Sequence, residues 1–159
     1  MSNNSIDFYV DIKSPYAYLA LDPAIEMFDQ LGLNWNLLPY TLNIADYLGS
    51  ATVNNEGKII SSNRTAHQWR RVKYSYMDCR KMANLQGKTI LGTQKIWDSA
   101  DFISWKSDNQ NCVNSLMDTA LSRGIFGVPT FVFEEEIFWG SEKLTLIRAK
   151  VTGDYSALT

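Results

Sequence analysis

Apolar residues near the start of the chain form two short runs with a longer helical pattern between them. Residues 6–12 are rich in β-branched and aromatic side chains, as in a buried strand, and residues 34–40 predict a second strand. Ser14 and Pro15 open the segment between them as helix N-cap and first helical residue, and Gly32 ends it. A strand, a helix and a strand at this spacing predict a right-handed crossover between parallel strands.

Pro23 interrupts the helical pattern of residues 16–31. A proline inside a helix removes one hydrogen bond and its ring crowds the preceding turn. We therefore expect the first helix to be kinked at Pro23.

The middle of the chain has a different pattern. Residues 50–63 are rich in Gly, Ser and Asn and predict a loop. Residues 64–86 predict a polar helix, and residues 98–123 predict another that breaks near Asp108 and ends at Gly124. The positions expected to face inward on the helix of residues 64–86 are Trp69, Val72, Tyr76, Met77 and Ala83.

Strand patterns return near the end of the chain. Residues 130–133 and 137–139 are short apolar runs, and the three glutamates between them predict an exposed hairpin tip. Gly140 and the polar residues after it open a last predicted helix over residues 143–150.

The predicted elements follow the order β-α-β, helical insertion, β-β-α. This order predicts an α/β thioredoxin-like fold with a helical insertion in its middle. We assign residues 1–159 to one domain and residues 41–124 to the helical insertion.

Composition narrows the class of protein. The 159 residues are 45% apolar and carry a net charge of −2, which fits one globular domain and argues against a dedicated nucleic-acid binder. No window approaches the roughly 18 apolar residues of a membrane span, and the polar residues 1–7 do not resemble a secretory signal. The distant Cys79 and Cys112 fit unpaired thiols in a reducing cytoplasm, and with the single His67 they predict no metal site.

Ser14 is the first candidate for chemistry. The N-terminus of a helix stabilises an anion, and a serine hydroxyl there can donate a further hydrogen bond. In thioredoxin-type proteins this turn carries two cysteines, where this chain has Ser14 and Ala17, so dithiol exchange at the turn is excluded. The alternative is an ordinary N-cap.

Two further segments are candidates for ligand binding. Pro129 either opens an edge strand in the usual way or forms a cis bond that lets the Val128 backbone pair with an extended ligand. Ser141 and Glu142 either begin a capped helix or bind the head group of an amino acid through the helix end and the carboxylate.

Four motifs occur in order along the chain. They are Asp11-x-x-Ser14-Pro15-Tyr16-x-Tyr18-Leu19-Ala20, Arg71-x-x-Tyr74-x-x-x-Asp78-x-x-Lys81-x-Ala83, Gly124-Ile125-Phe126-Gly127-Val128-Pro129-Thr130-Phe131 and Phe138-Trp139-Gly140-Ser141-Glu142-Lys143-Leu144. Together they resemble the 2-hydroxychromene-2-carboxylate isomerase family, which is close to the kappa-class glutathione transferases in the DsbA-like thioredoxin clan.

The resemblance implies a glutathione-dependent enzyme. It implies that Ser14 favours the glutathione thiolate and that Val128, beside a cis Pro129, binds the cysteinyl backbone. It also implies that Ser141 and Glu142 bind the γ-glutamyl group. Arg71 stands where the family has a lysine that approaches the ligand; the alternative for Arg71 is a solvated helix face.

The resemblance also implies a small-molecule aromatic substrate, whose double bond is isomerised by addition and loss of the thiolate. The chain is shorter than expected for the family, because residues 96–100 run directly into a segment that resembles the end of the helical insert. Apolar surface left by lost helices would be covered by a second copy, giving a homodimer. Two alternatives stay open: a module that binds glutathione or a peptide without turnover, and a thiol oxidoreductase using Cys79 or Cys112.

Overall fold

The computed structural model describes residues 4–91, 104–105 and 107–158. The elements are β1 (Ser5–Val10), α1 (Pro15–Leu31), β2 (Asn34–Pro39), α2 (Ile44–Leu48), β3 (Ala51–Val53), β4 (Ile59–Ser62), α3 (Ala66–Leu85), α4 (Gln110–Ser122), β5 (Thr130–Phe133), β6 (Glu136–Trp139) and α5 (Leu144–Thr152), with short 3-10 turns at Ser141–Lys143 and Ser156–Leu158.

Contacts divide the chain into two compact units. The first contains the described residues up to Leu42 and from Asn111 onward, and the second runs from Asn43 to Gln110. Residues 111–124, expected in the insertion, lie in the first unit, where Ala120 belongs to the core. The single-domain assignment and the shortening of the insert stay predictions, and residues 96–100, on which the shortening depends, lie outside the described residues.

A four-stranded sheet organises the first unit, in the order β2-β1-β5-β6. Strands β1 and β2 are parallel, as the crossover pattern predicts, whereas β5 is antiparallel to both β1 and β6. This mixed sheet, in which α1 connects the two parallel strands, confirms the α/β thioredoxin-like fold.

Three phenylalanines form the centre of the core between the sheet and α1. The rings of Phe8 and Phe131 stack with centroids 4.5 Å apart, and Phe28 of α1 meets both rings edge-on. All three side chains are fully buried. Stacked and edge-on contacts of this kind add about 0.5–1.5 kcal/mol per pair beyond the burial of area.

Helix α1 is one continuous helix across Pro23, so the kink expected there does not divide it. Ala20 and Ala24 on either side are fully buried. Packing against the core therefore holds the helix together despite the hydrogen bond that proline removes. The predicted ends are confirmed: Ser14 is the N-cap, and Gly32 ends the helix in the left-handed conformation at φ 63°.

The second unit contains a β-hairpin where the sequence predicts a loop. Strands β3 and β4 pair in antiparallel register, and the Asn54 side chain accepts hydrogen bonds from the amides of Glu56 and Lys58 in the turn. All four residues of β4 are exposed. Without a buried face these strands have no alternation of apolar and polar residues, which explains the wrong prediction.

Helix α3 begins with a capping box, in which Thr65 and Gln68 each accept a hydrogen bond from the other's amide. Ala83 is buried as predicted, but Met77 is 46% exposed and Cys79 occupies the buried position instead. Cys79 and Ala83 lie four residues apart and share a helix face. Met77 is two residues from Cys79 and therefore lies on another face.

Candidate functional site

The register of the sheet brings three candidate segments to one edge. Tyr9 pairs with Thr130, so the carboxyl end of β1, which leads to Ser14, lies beside the start of β5. Thr130 also pairs with Trp139, and this pairing places the residue after Trp139 at the same edge. The turn before α1, the segment before β5 and the segment after β6 therefore converge.

Ser14 is buried at the start of α1, with 6% of its surface exposed. Its Oγ accepts a hydrogen bond of 3.3 Å from the Ala17 amide, which confirms the predicted N-cap. Its hydroxyl donates to no acceptor in the part of the chain that the structure describes. The hydroxyl hydrogen is thus available to an anionic ligand at the positive end of a 17-residue helix.

Asp11 supports this turn, although the sequence did not single it out as a site residue. Its carboxylate is 4% exposed and accepts hydrogen bonds of 2.8 Å from the amides of Lys13 and Leu42. The Lys13 ammonium lies 3.5 Å from the same carboxylate. Asp11 therefore ties the turn before α1 to the chain that follows β2. A carboxylate directly after a buried strand was the available signal.

The peptide bond between Val128 and Pro129 is cis. Neither the amide nor the carbonyl of Val128 has a hydrogen-bond partner among residues 4–91, 104–105 and 107–158. The buried Thr130, also missed from the sequence, donates a hydrogen bond of 2.7 Å from its hydroxyl to the Gly127 carbonyl. The arrangement leaves the Val128 backbone able to pair with an extended ligand.

Gly140 is held against the same edge and has a backbone conformation, at φ 103°, that favours glycine. Its amide donates a hydrogen bond of 2.9 Å to the Pro129 carbonyl. A Cβ at Gly140 would collide with the carboxylate of Glu142, which lies over it. Ser141 begins a 3-10 turn and makes no capping hydrogen bond, so its predicted role as a helix cap is wrong; α5 begins only at Leu144.

The 3-10 turn of Ser141–Lys143 packs against α1. The carboxylate of Glu142 has no ion-pair or hydrogen-bond partner among the residues that the structure describes. The Glu142 carboxylate at this edge of the sheet is therefore available to a cationic ligand.

An aromatic pair adjoins the site and was also missed from the sequence. The indole of Trp139 lies against Gly127, and the ring of Phe126 meets it at 61° with centroids 4.9 Å apart. Arg71 lies on α3 in the second unit, with an exposed side chain, and its role in ligand binding stays a prediction.

The two cysteines differ in accessibility. Cys79 is fully buried, and burial raises the pKa of its thiol above the ordinary value. A raised pKa disfavours the reactive thiolate. Cys112 is exposed and lies in the first turn of α4, which begins just after the break predicted near Asp108. The described residues contain no group of three His, Cys, Asp or Glu side chains that could hold a metal ion.

No family model matches the sequence. No curated protein matches it either. None of the described helices is long and apolar enough to cross a membrane.

Among solved structures, that of selenomethionine 2-hydroxychromene-2-carboxylate isomerase is similar to this chain. The TM-score is 0.64 with 17% sequence identity, over 98% of this chain and 99% of that chain. A likeness at this identity establishes the fold. The chain therefore has the DsbA-like thioredoxin fold of this isomerase, in agreement with the resemblance drawn from the four sequence motifs.

Proposed function

We propose that this chain is a glutathione-dependent enzyme, an isomerase of the 2-hydroxychromene-2-carboxylate type or a related glutathione transferase. One observation carries the proposal. The buried Ser14, with a hydroxyl that donates to no described residue, lies at the start of α1 on the same sheet edge as the unpaired Val128 backbone.

The start of α1 fits a thiolate. The helix N-terminus offers partial positive charge, and Ser14 adds one directed hydrogen bond to an anion. A hydrogen bond to a charged group is worth about 1.5–3 kcal/mol, which corresponds to a pKa lowered by about 1–2 units. Ser14 therefore lowers the pKa of a bound thiol by stabilising the charged form.

The rest of the edge fits the peptide part of glutathione. The Val128 backbone pairs with the cysteinyl residue as an added strand would. The Glu142 carboxylate, which no described cation neutralises, binds the γ-glutamyl ammonium, and the Ser141 hydroxyl binds the γ-glutamyl carboxylate. We also propose that the guanidinium of Arg71 is a further cationic group that approaches the ligand.

Glutathione held by Ser14, Val128, Ser141 and Glu142 would supply a nucleophilic thiolate, the group needed for reversible addition to an activated double bond of an aromatic-derived substrate. Ser14 holds the sulfur in its charged form before addition and stabilises the same charge when the sulfur leaves. Asp11 keeps Ser14 in place by fixing the turn that carries it. We place this activity in the cytoplasm, where two unpaired cysteines are stable.

Calorimetry tests the proposal. Glutathione is titrated into the protein beside its analogue in which the cysteine is replaced by aminobutyrate and the sulfur is absent. We expect both to bind, and we expect Ser14→Ala to weaken only the binding of glutathione. No binding at millimolar glutathione would overturn the proposal. Binding without turnover of any activated aromatic substrate would support the alternative, a glutathione-binding module.

A further inference from the structure

Phe126 and Trp139 form an exposed aromatic pair. Phe126 is 63% exposed and Trp139 is 50% exposed, and their rings meet at 61°. Large aromatic side chains usually bury most of their area, so two neighbouring rings left half in water mark a surface that gains from being covered.

The absence of a side chain at Gly127 leaves the space that the indole of Trp139 occupies. Its backbone does not have a positive φ, so any residue could adopt its conformation. A Cβ at this position would nevertheless lie 2.9 Å from Nε1 of Trp139, closer than such atoms approach in proteins. A side chain at this position would therefore force the indole of Trp139 to move.

The pair adjoins both halves of the proposed glutathione site. Phe126 is two residues from Val128, which places their Cα atoms within about 7 Å of each other. Trp139 directly precedes Gly140, whose amide donates a hydrogen bond to the Pro129 carbonyl. The indole N–H has no hydrogen-bond partner in the described part of the chain and can donate to an oxygen of a ligand.

We propose that the Phe126–Trp139 pair binds the aryl group of the second substrate, a planar aromatic molecule that carries an oxygen acceptor. This inference rests on the proposed function, because the pair selects the molecule that meets the thiolate. Two rings at an angle offer one face for stacking and one edge for a perpendicular contact, which are the two arrangements that aromatic rings prefer.

S-benzylglutathione and S-methylglutathione test the inference, since they share one peptide and differ by an aryl ring. We expect the protein to bind the benzyl compound about tenfold more tightly by calorimetry. We expect Trp139→Ala to remove most of that ratio and to leave the affinity for S-methylglutathione unchanged. Phe126→Ala, at an exposed ring outside the sheet, serves as the second variant, and Tyr155→Ala, at an exposed tyrosine of the C-terminal segment, is the matched control.

Each possible result either supports the aryl-binding role of the pair or overturns it. A benzyl-to-methyl ratio near one in the unaltered protein overturns the inference and leaves the proposed function standing. A ratio that persists in either Trp139→Ala or Phe126→Ala also overturns it, because the proposed site needs both rings. Loss of binding of both compounds to the unaltered protein contradicts the proposed function itself. A ratio that falls in both variants and persists in Tyr155→Ala establishes the pair as the aryl site.

Discussion

The amide of Gly140 donates a hydrogen bond of 2.9 Å to the carbonyl oxygen of Pro129. This bond continues the pairing of β5 with β6 by one step beyond Thr130 and Trp139. It fixes the segment that holds Glu142 to the segment that exposes the Val128 backbone. The two proposed contacts with glutathione therefore lie on segments that this hydrogen bond joins.

Gly140→Ala is expected to damage this edge. The φ of 103° strains any side chain at Gly140, and a Cβ there would force the carboxylate of Glu142 to move. We expect the free energy of unfolding to fall by about 1–3 kcal/mol, measured by urea denaturation, and the affinity for glutathione to fall as well.

Gly153→Ala is the matched control, because Gly153 also has a positive φ, of 73°, but no atom lies within 4 Å of its would-be Cβ. It is expected to cost stability through backbone strain and to leave glutathione affinity unchanged. Equal loss of affinity in the two variants would contradict the placement of the γ-glutamyl site.

Asp11→Asn is expected to loosen the turn that carries Ser14. The carboxylate accepts from two amides, whereas an asparagine side chain can accept through only one oxygen and turns an amino group toward the other donor. We expect a loss of about 2 kcal/mol or more by urea denaturation. Asp29→Asn, at an exposed carboxylate of α1, is the control and should change stability by less than about 0.5 kcal/mol.

Alkaline pH is expected to destabilise the protein through two buried groups. Burial raises the pKa of the Cys79 thiol and that of the Tyr40 hydroxyl above their ordinary values. As the pH rises above about 9, the unfolded chain releases these protons before the folded chain does, so the free energy of unfolding decreases.

Urea denaturation between pH 8 and pH 10.5 measures this slope. Cys79→Ala should make the decrease shallower, although it lowers stability overall, and Cys112→Ala at the exposed thiol should leave the slope as it is. A slope that is the same in all three proteins would contradict the account of Cys79.

In the native protein at neutral pH, a disulfide reagent should modify Cys112 quickly and Cys79 only slowly.

The sequence predicted the parts of the fold in which local signals and burial agree. The serine and proline before α1, the glycine after it and the apolar runs of β1 and β5 each mark an element that the core then buries. The hairpin of β3 and β4 escaped prediction because its strands bury no face and are set by turn bonds from Asn54.

The candidate site was predicted as residue types and not as geometry. Ser14 and Gly140 carry local signals, a helix cap and a glycine, that can be recognised in the sequence alone. Asp11, Thr130 and the Phe126–Trp139 pair act through contacts between distant segments, which follow only from the register of the sheet. The same limit made Ser141 look like a helix cap.

The thiol pKa of bound glutathione tests the central claim most directly. It is followed by the ultraviolet absorbance of the thiolate against pH, with saturating glutathione on the unaltered protein and on Ser14→Ala. We expect a pKa well below the roughly 8.5 of a free cysteine thiol, and a rise of about 1–2 units in Ser14→Ala. A bound thiol that titrates like the free one, or a lowered pKa that Ser14→Ala leaves in place, would contradict the role of Ser14.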